Sequence, residues 1–99
     1  MIMVFVFNDK KARALGYSAQ TCYEAVNRLF ARYGIYPASQ GVYEAPDNQN
    51  TFTAFGVAQR LPFDNDWFLK VIDSWTSFED GCWGDCLAVH YKYAKINGR

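Results

Sequence analysis

The sequence predicts a single α+β domain, an antiparallel sheet with two helices on one of its faces, and three observations carry that prediction. A six-residue apolar run, Ile2-Met3-Val4-Phe5-Val6-Phe7, stands at the start. An amphipathic stretch with its own start and stop signals follows. A second helical stretch and a second β-prone run then repeat that order. At 99 residues the chain has ordinary single-domain size. With 51% hydrophobic residues it is not a disordered chain.

The Ile2–Phe7 run is β-branched and aromatic without polar alternation, which reads as a central strand buried on both faces. It stops at Asn8-Asp9. Lys10 to Ser18 then reads as a polar loop in which Gly16 breaks regular structure. Thr21-x-x-Glu24 is a capping box, a threonine and a glutamate able to satisfy free amides at a helix start. Cys22, Ala25, Val26, Leu29, Phe30 and Tyr33 recur on one helical face. Gly34 stands where a C-terminal cap belongs, and Arg28 and Arg32 suit the negative end of the dipole. The spacing predicts a helix over 21–33.

Tyr36 to Ala45 reads as one bent or bulged strand, or two short ones, around Gln40-Gly41-Val42-Tyr43. Pro46-Asp47-Asn48-Gln49 is a turn. Asn50 is placed to cap a second helix from Thr51 to about Leu61, with Phe52, Phe55, Ala58 and Leu61 on one face. Gly56 costs that helix roughly 1 kcal/mol relative to alanine, which predicts close packing there. Pro62 to Asp66 interrupts, and Trp67-Phe68-Leu69 forms a short helical turn. Val71 to Phe78 is the last core strand, with Ile72, Ser74, Thr76 and Phe78 alternating against Asp73, Trp75 and Ser77. Gly81 to Gly84 is a loop, and Leu87 to Ile96 fits either a terminal helix or an added strand.

With right-handed crossovers this order gives a ferredoxin-like βαββαβ sandwich. One sheet face is then left bare. Aromatic residues make up 18% of a chain too small to bury them all. Both points predict a two-fold homodimer.

Net charge is zero but unevenly spread. Residues 1–33 balance to +3, residues 34–91 to −6, and the tail from Lys92 returns +3. A uniformly basic nucleic-acid surface is thereby excluded, while a local basic patch and scattered solubilising charge both fit. No run approaches the ~18–20 apolar residues of a membrane span, so no membrane partner is expected. Ile2–Phe7 is too short for a signal-peptide core and has no basic leader. A cytoplasmic location is the resulting expectation, and three cysteines without framework spacing agree with a reducing compartment. Phosphate-binding glycine loops, dinucleotide fingerprints and serine-nucleophile motifs are absent from the sequence.

Taken in order, several landmarks resemble the VapD family, small bacterial toxin-type ribonucleases related in fold to a small subunit of the CRISPR spacer-integration machinery. The β-run ends in Phe7-Asn8-Asp9, where the family has Phe-Asp. The helix closing in Tyr33-Gly34-Ile35 leads to Gln40-Gly41-Val42-Tyr43, and Asn50-Thr51 starts the second helix. Trp67-Phe68-Leu69-Lys70-Val71 leads to Asp73 and Phe78-Glu79, and Trp83-Gly84-Asp85 follows. The likeness covers most of the chain and rests on the series rather than on any one motif. It implies a ferredoxin-like dimer that cleaves single-stranded RNA as a VapD-like endoribonuclease, the toxin of a toxin–antitoxin pair with a protein antitoxin. The chain departs from the family in three places. Asn8 holds the position of the strand-end carboxylate, Ile72 and Ser74 replace the arginines beside Asp73, and the serine of the tyrosine strand is missing. The alternative is a catalytically inactive dimeric module that binds protein or nucleic acid.

RNA cleavage needs a group to activate the attacking oxygen and another to neutralise charge on phosphorus. Asp9, with Asn8, is the catalytic candidate, because a strand-end carboxylate can also hold a magnesium ion. Asn8 is neutral and cannot act as a base. Both residues equally suit the start of a plain turn. Lys10, Lys11 and Arg13 are candidate phosphate contacts, with a solvated loop as the alternative. Tyr43 and Tyr17 are candidates for stacking on bases, although packing in the sheet or dimer interface suits Tyr43 better. Asp73 in a core strand needs a hydrogen-bond partner. Cys82, Cys86 and His90 would share a helical face at spacings of four, yet a closed zinc site needs four ligands, so buried thiols and a lone histidine are the stronger reading.

Overall fold

Strand β1 (Ile2–Phe7) is the central element of a computed structural model that describes residues 1–96. Five strands pair antiparallel in the order β2-β3-β1-β4-β5. The others are β2 (Pro37–Ser39), β3 (Val42–Glu44), β4 (Ile72–Glu79) and β5 (Cys82–Asp85). The helices are α1 (Asp9–Ala14), α2 (Ala19–Ala31), α3 (Gln49–Ala58), α4 (Leu61–Asp64), α5 (Phe68–Val71) and α6 (Cys86–Ile96). The chain is thus α+β with a five-stranded antiparallel sheet, compatible with the ferredoxin-like expectation but with more elements than it foresaw.

Expectation and structure part at several named places. Lys10 to Ser18 is mostly helix α1, because Asn8 caps it; Gly16, at φ +84°, ends it as a loop glycine should. Helix α2 begins two residues early. Ser18, not Thr21, is its N-cap and accepts from the Thr21 amide at 3.2 Å. Its end is as expected: the Gly34 amide reaches the Ala31 carbonyl at 3.0 Å and the Ile35 amide reaches Phe30 at 3.1 Å, the paired bonds of a Schellman motif. Asn48 rather than Asn50 caps α3, taking both the amide and the hydroxyl of Thr51, while Asn50 donates to the Tyr33 carbonyl. Phe52 is consequently half exposed, and Thr51, Ala54, Phe55 and Ala58 form the buried face. Gly56 faces open space, so the close packing expected there is absent.

The two short strands β2 and β3 form around Gly41, which lies at φ +77°. A Cβ on Gly41 would stand 2.3 Å from the Phe5 carbonyl oxygen and 2.7 Å from a Tyr23 ring carbon. The Phe5 amide donates to the Gly41 carbonyl at 2.8 Å. Only glycine lets these two backbones meet. Asp80-Gly81, at φ +53° and +76°, turns β4 into β5 as a tight hairpin, so Cys82–Asp85 is a strand and not a loop. Leu87 to Ile96 resolves as helix.

β1 is central but is not buried on both faces. Met3, Phe5 and Phe7 point into the core, while Ile2 and Val4 are half buried and Val6 is 42% exposed. The Phe5 ring, 1% exposed, lies within 6.2 Å of the rings of Phe7, Phe30, Tyr43, Phe68 and Trp75. In β4 the expected alternation fails because Val6 pairs with Ser74 and Phe7 with Ile72, leaving Asp73 as a bulge. The bulge resets the phase, so Ile72, Trp75 and Ser77 are all buried and Asp73 turns outward.

Two glycines therefore respond in opposite ways to the same substitution. Gly41→Ala should cost more than about 2 kcal/mol in denaturant unfolding, through backbone strain and overlap with Phe5. Gly56→Ala should instead stabilise the protein by about 0.5–1 kcal/mol, since its added methyl meets nothing.

Candidate functional site

The end of β1 gathers Asn8, Asp9, Lys11, Arg13 and Asp73. Asn8 has extended backbone and takes the Lys11 amide on its Oδ1 at 2.9 Å, the bond that starts α1. Its Nδ2 donates to Asp73 Oδ2 at 3.0 Å, and its backbone amide reaches the Val71 carbonyl at 2.8 Å. Asn8 is thus committed at both ends of its side chain. At the strand end Asn8 acts as a helix cap.

Asp9 is the first residue of α1. Its Oδ1 accepts the Ala19 amide at 2.9 Å and its Oδ2 accepts Arg13 Nε at 2.6 Å. Ala19 opens α2, where amides have no partner inside the helix. The Asp9 carboxylate therefore sits between two helix starts, where negative charge is favoured, and joins α1 to α2. Asp73, turned out by the bulge, accepts Lys11 Nζ on Oδ1 at 3.0 Å beside its bond from Asn8.

Electrostatics follow from these partners. The Ala19 amide first, and then Arg13, hold the Asp9 carboxyl below its ordinary value. Hydrogen bonds from Lys11 and Asn8 do the same for Asp73. Both groups are anions near neutral pH, and a carboxylate held in that form is a weak proton acceptor. The set does not fit a magnesium ion. Arg13 and Lys11 place positive charge on the oxygens that would face it, and no cluster of three or more His, Cys, Asp or Glu side chains occurs among the described residues.

The RNA-contact candidates separate. The Lys10 side chain is exposed and makes no hydrogen bond or ion pair among the described residues. Lys11 and Arg13 are exposed but already paired. Tyr43 has no surface to offer: it is fully buried, stacks on Phe30 with ring centres 4.2 Å apart, and donates its hydroxyl to Asn27. Burial raises its phenol well above the ordinary value. It is a core residue and not an RNA contact. Tyr17 keeps 47% of its surface beside Thr21, Cys22 and Trp67. Cys82 lies on β5 while Cys86 and His90 lie on α6, so the three do not share one helical face. Burial pushes the Cys86 thiol up to about 11, which keeps it protonated near neutral pH.

Sequence reasoning missed Lys11 and Asp73 as partners. Half of the pairing had a signal: Asn8 followed by acidic Asp9 and basic Lys11 and Arg13 is a cap-and-dipole pattern for a short helix. The half contributed by β4 depends on a bulge and had none.

Removing the cap with Asn8→Ala should cost about 1 kcal/mol in thermal or denaturant unfolding. Asn8→Asp keeps the bond from the Lys11 amide but loses the donor to Asp73 and sets two carboxylates face to face, so it should destabilise as well. Because both aspartates are better stabilised as anions when folded, their contribution is full above their ordinary value of 3.8. It is lost as pH falls below that value through the lowered folded-state values. Melting followed from neutral to acid pH should show this loss, and Asp9→Asn should shrink it. Comparison of the chain with protein-family models, with curated proteins and with solved structures finds no match.

Proposed function

We propose that the chain is a VapD-like, ferredoxin-like homodimer that binds single-stranded RNA beside the end of β1 without cutting it by carboxylate chemistry. One observation carries this reading: each carboxylate oxygen at the strand end already has a donor, from Ala19 and Arg13 on Asp9 and from Lys11 and Asn8 on Asp73. These donors hold both aspartates ionised and set positive charge beside them, which makes each a weak base and a poor metal ligand. Lys10, unpaired among the described residues, is the leading phosphate contact, with Lys11 and Arg13 on the same short helix. The order β2-β3-β1-β4, extended by β5, supports the ferredoxin-like architecture. Support for the dimer comes from the outward sheet face. Pairing across the sheet aligns Val42 with Val4, and Ile2 with Phe78 and Trp83. Trp83 is 58% and Val6 42% exposed on that face, and an apolar face open to solvent suits a partner surface.

A VapD-like endoribonuclease toxin, with a protein antitoxin as its partner, is the second reading. The observation that favours it is the Lys11–Asp73 pair at 3.0 Å, an ammonium for a phosphate beside an ionised carboxylate.

Incubation of the purified chain with labelled single-stranded RNA separates the two. The first reading expects intact RNA in a complex whose affinity falls steeply with salt, and Lys10→Glu should lower the log–log salt slope by about 0.7, the value of a single neutralised phosphate. Cleavage by the wild type that disappears in a folded Asp73→Asn variant would overturn it in favour of the second. Neither binding nor cleavage sinks both. Sedimentation should give a dimer, and Trp83→Glu a monomer.

A further inference from the structure

The two edges of the sheet differ. At the β2 edge Pro37 has no amide to offer, and the pairing with β3 slips between Pro37 and Ser39. Proline and a bulge are devices that keep a strand edge from recruiting another strand. The β5 edge carries neither. All four residues from Cys82 to Asp85 are exposed, and they pair with β4 without a slip, from Glu79–Cys82 to Thr76–Asp85. A two-residue turn closes on a hydrogen-bonded pair, here Glu79 and Cys82, and the alternation of an antiparallel ladder makes Ser77 and Gly84 the next. Trp83 stands between them in a non-bonded pair with Phe78, so its amide and carbonyl point away from β4. Neither meets another element among the described residues.

The same edge is acidic. Glu79, Asp80 and Asp85 frame it, and residues 71–91 contain no lysine or arginine. None of the three acids is in an ion pair among the described residues. Glu79 takes the Ser77 hydroxyl at 3.1 Å, and Asp85 takes the Leu87 and Ala88 amides at the start of α6. Asp80 has no hydrogen-bond partner among the described residues. Lysine is the usual guard of an open edge, and here the charge has the opposite sign. Nucleic acid is repelled by such an edge. A second copy is repelled as well: pairing about Trp83 would set Asp85 of each copy against the Asp80-Gly81 turn of the other, acid beside acid.

We infer that the β5 edge takes an extended, basic segment of another protein as a sixth strand. The bonds come from the main chain: the Trp83 amide and carbonyl exchange with one residue of the incoming segment. Side chains set the choice. The residue opposite Trp83 lies on the outward face beside the Trp83 and Phe78 rings, whose centres are 5.4 Å apart, and is apolar. Residues two places to either side fall opposite Asp85 and beside Asp80, and are lysine or arginine. The recognised pattern is therefore basic-x-apolar-x-basic in an extended chain. The inference does not rest on the RNA reading, which uses the opposite end of β4. The dimer proposed above uses the face of the sheet, and this strand its edge.

Fluorescence anisotropy of a labelled seven-residue peptide tests it, threonine throughout except for lysine, valine and lysine at its second, fourth and sixth positions. The peptide should bind the purified chain and lose affinity with added salt, and a twin with glutamate for lysine should not bind. Methylating the valine amide removes the bond to the Trp83 carbonyl and should weaken binding about tenfold. Trp83→Pro removes the outward amide and should do the same, whereas Trp83→Val keeps the edge and should stay within about threefold of the wild type. Asp80→Asn and Asp85→Asn together keep the turn and the cap and should flatten the salt dependence. Undiminished binding of the methylated peptide or of the glutamate twin overturns the strand addition, as does no binding of the lysine peptide. A loss in Trp83→Val as large as in Trp83→Pro overturns it in favour of the ring alone. A dimer in sedimentation that Trp83→Pro dissociates and Trp83→Val does not overturns it in favour of a second copy at the edge.

Discussion

The Phe5 ring sits where strands β1, β3 and β4 and helices α2 and α5 converge, and most of the core is arranged to let it stay there. Tyr43 and Trp75 meet it from the flanking strands, Phe30 from α2 and Phe68 from α5. These are mainly edge-to-face contacts, the geometry that aromatic quadrupoles prefer, with Trp75 stacked. The same residue also constrains the backbone. Its amide bonds to the Gly41 carbonyl, and its own carbonyl would collide with any Cβ on Gly41. One position therefore sets both the ring packing and the path of the β2–β3 hairpin.

From that centre β1 runs outward, and its last residues define the polar end of the molecule. The β3 strand is too short to reach Phe7, so the buried Tyr23 hydroxyl accepts the Phe7 amide at 3.0 Å. One residue later the chain turns into α1, and the side-chain polar atoms of Asn8 and Asp9 are all used to organise that turn. A cap, two helix starts and a bulge share these groups. The arrangement is economical for folding and poor for proton transfer, because the donors that hold the carboxylates in place also hold them ionised. Folding and catalysis ask opposite things of these groups. A base needs an oxygen free to accept, whereas a structural carboxylate is stabilising to the extent that its oxygens are taken.

Charge is divided between the layers in a way the zero net charge conceals. Glu79, Asp80 and Asp85 lie along the β4–β5 hairpin, and Glu44 ends β3. Arg28, Arg32, Arg60, Lys92 and Lys95 lie on helices or their ends. A polyanion approaching the molecule meets the helical layer at lower cost than the sheet hairpin. The outward sheet face, apolar with an acidic fringe, suits a protein surface better than nucleic acid.

The sequence by itself determined the central strand, the amphipathic helix with its glycine stop, and the presence of a second helix and a last strand. Each is a local matter: apolar period, cap and breaker act within a few residues. The Asp80-Gly81 hairpin was equally local, a positive-φ pair between two β-prone runs, and its signal was present in the sequence. Tertiary structure alone decided the rest. Asp73 became a bulge because β4 had to bring both Ile72 and Trp75 into one core, and no alternation in the sequence marks that slip. Tyr43 became core because Phe5 and Phe30 stand beside it, although a tyrosine in a short strand reads equally well as a surface residue. Asn8 and Asp9 were legible as the site where β1 ends, but not as a cap and a clasp. Those roles depend on Ala19 and Asp73, one 10 residues from Asp9 and the other 65 from Asn8. Side-chain hydrogen bonds over such separations are set by the packing that brings their elements together, and by nothing in the local sequence.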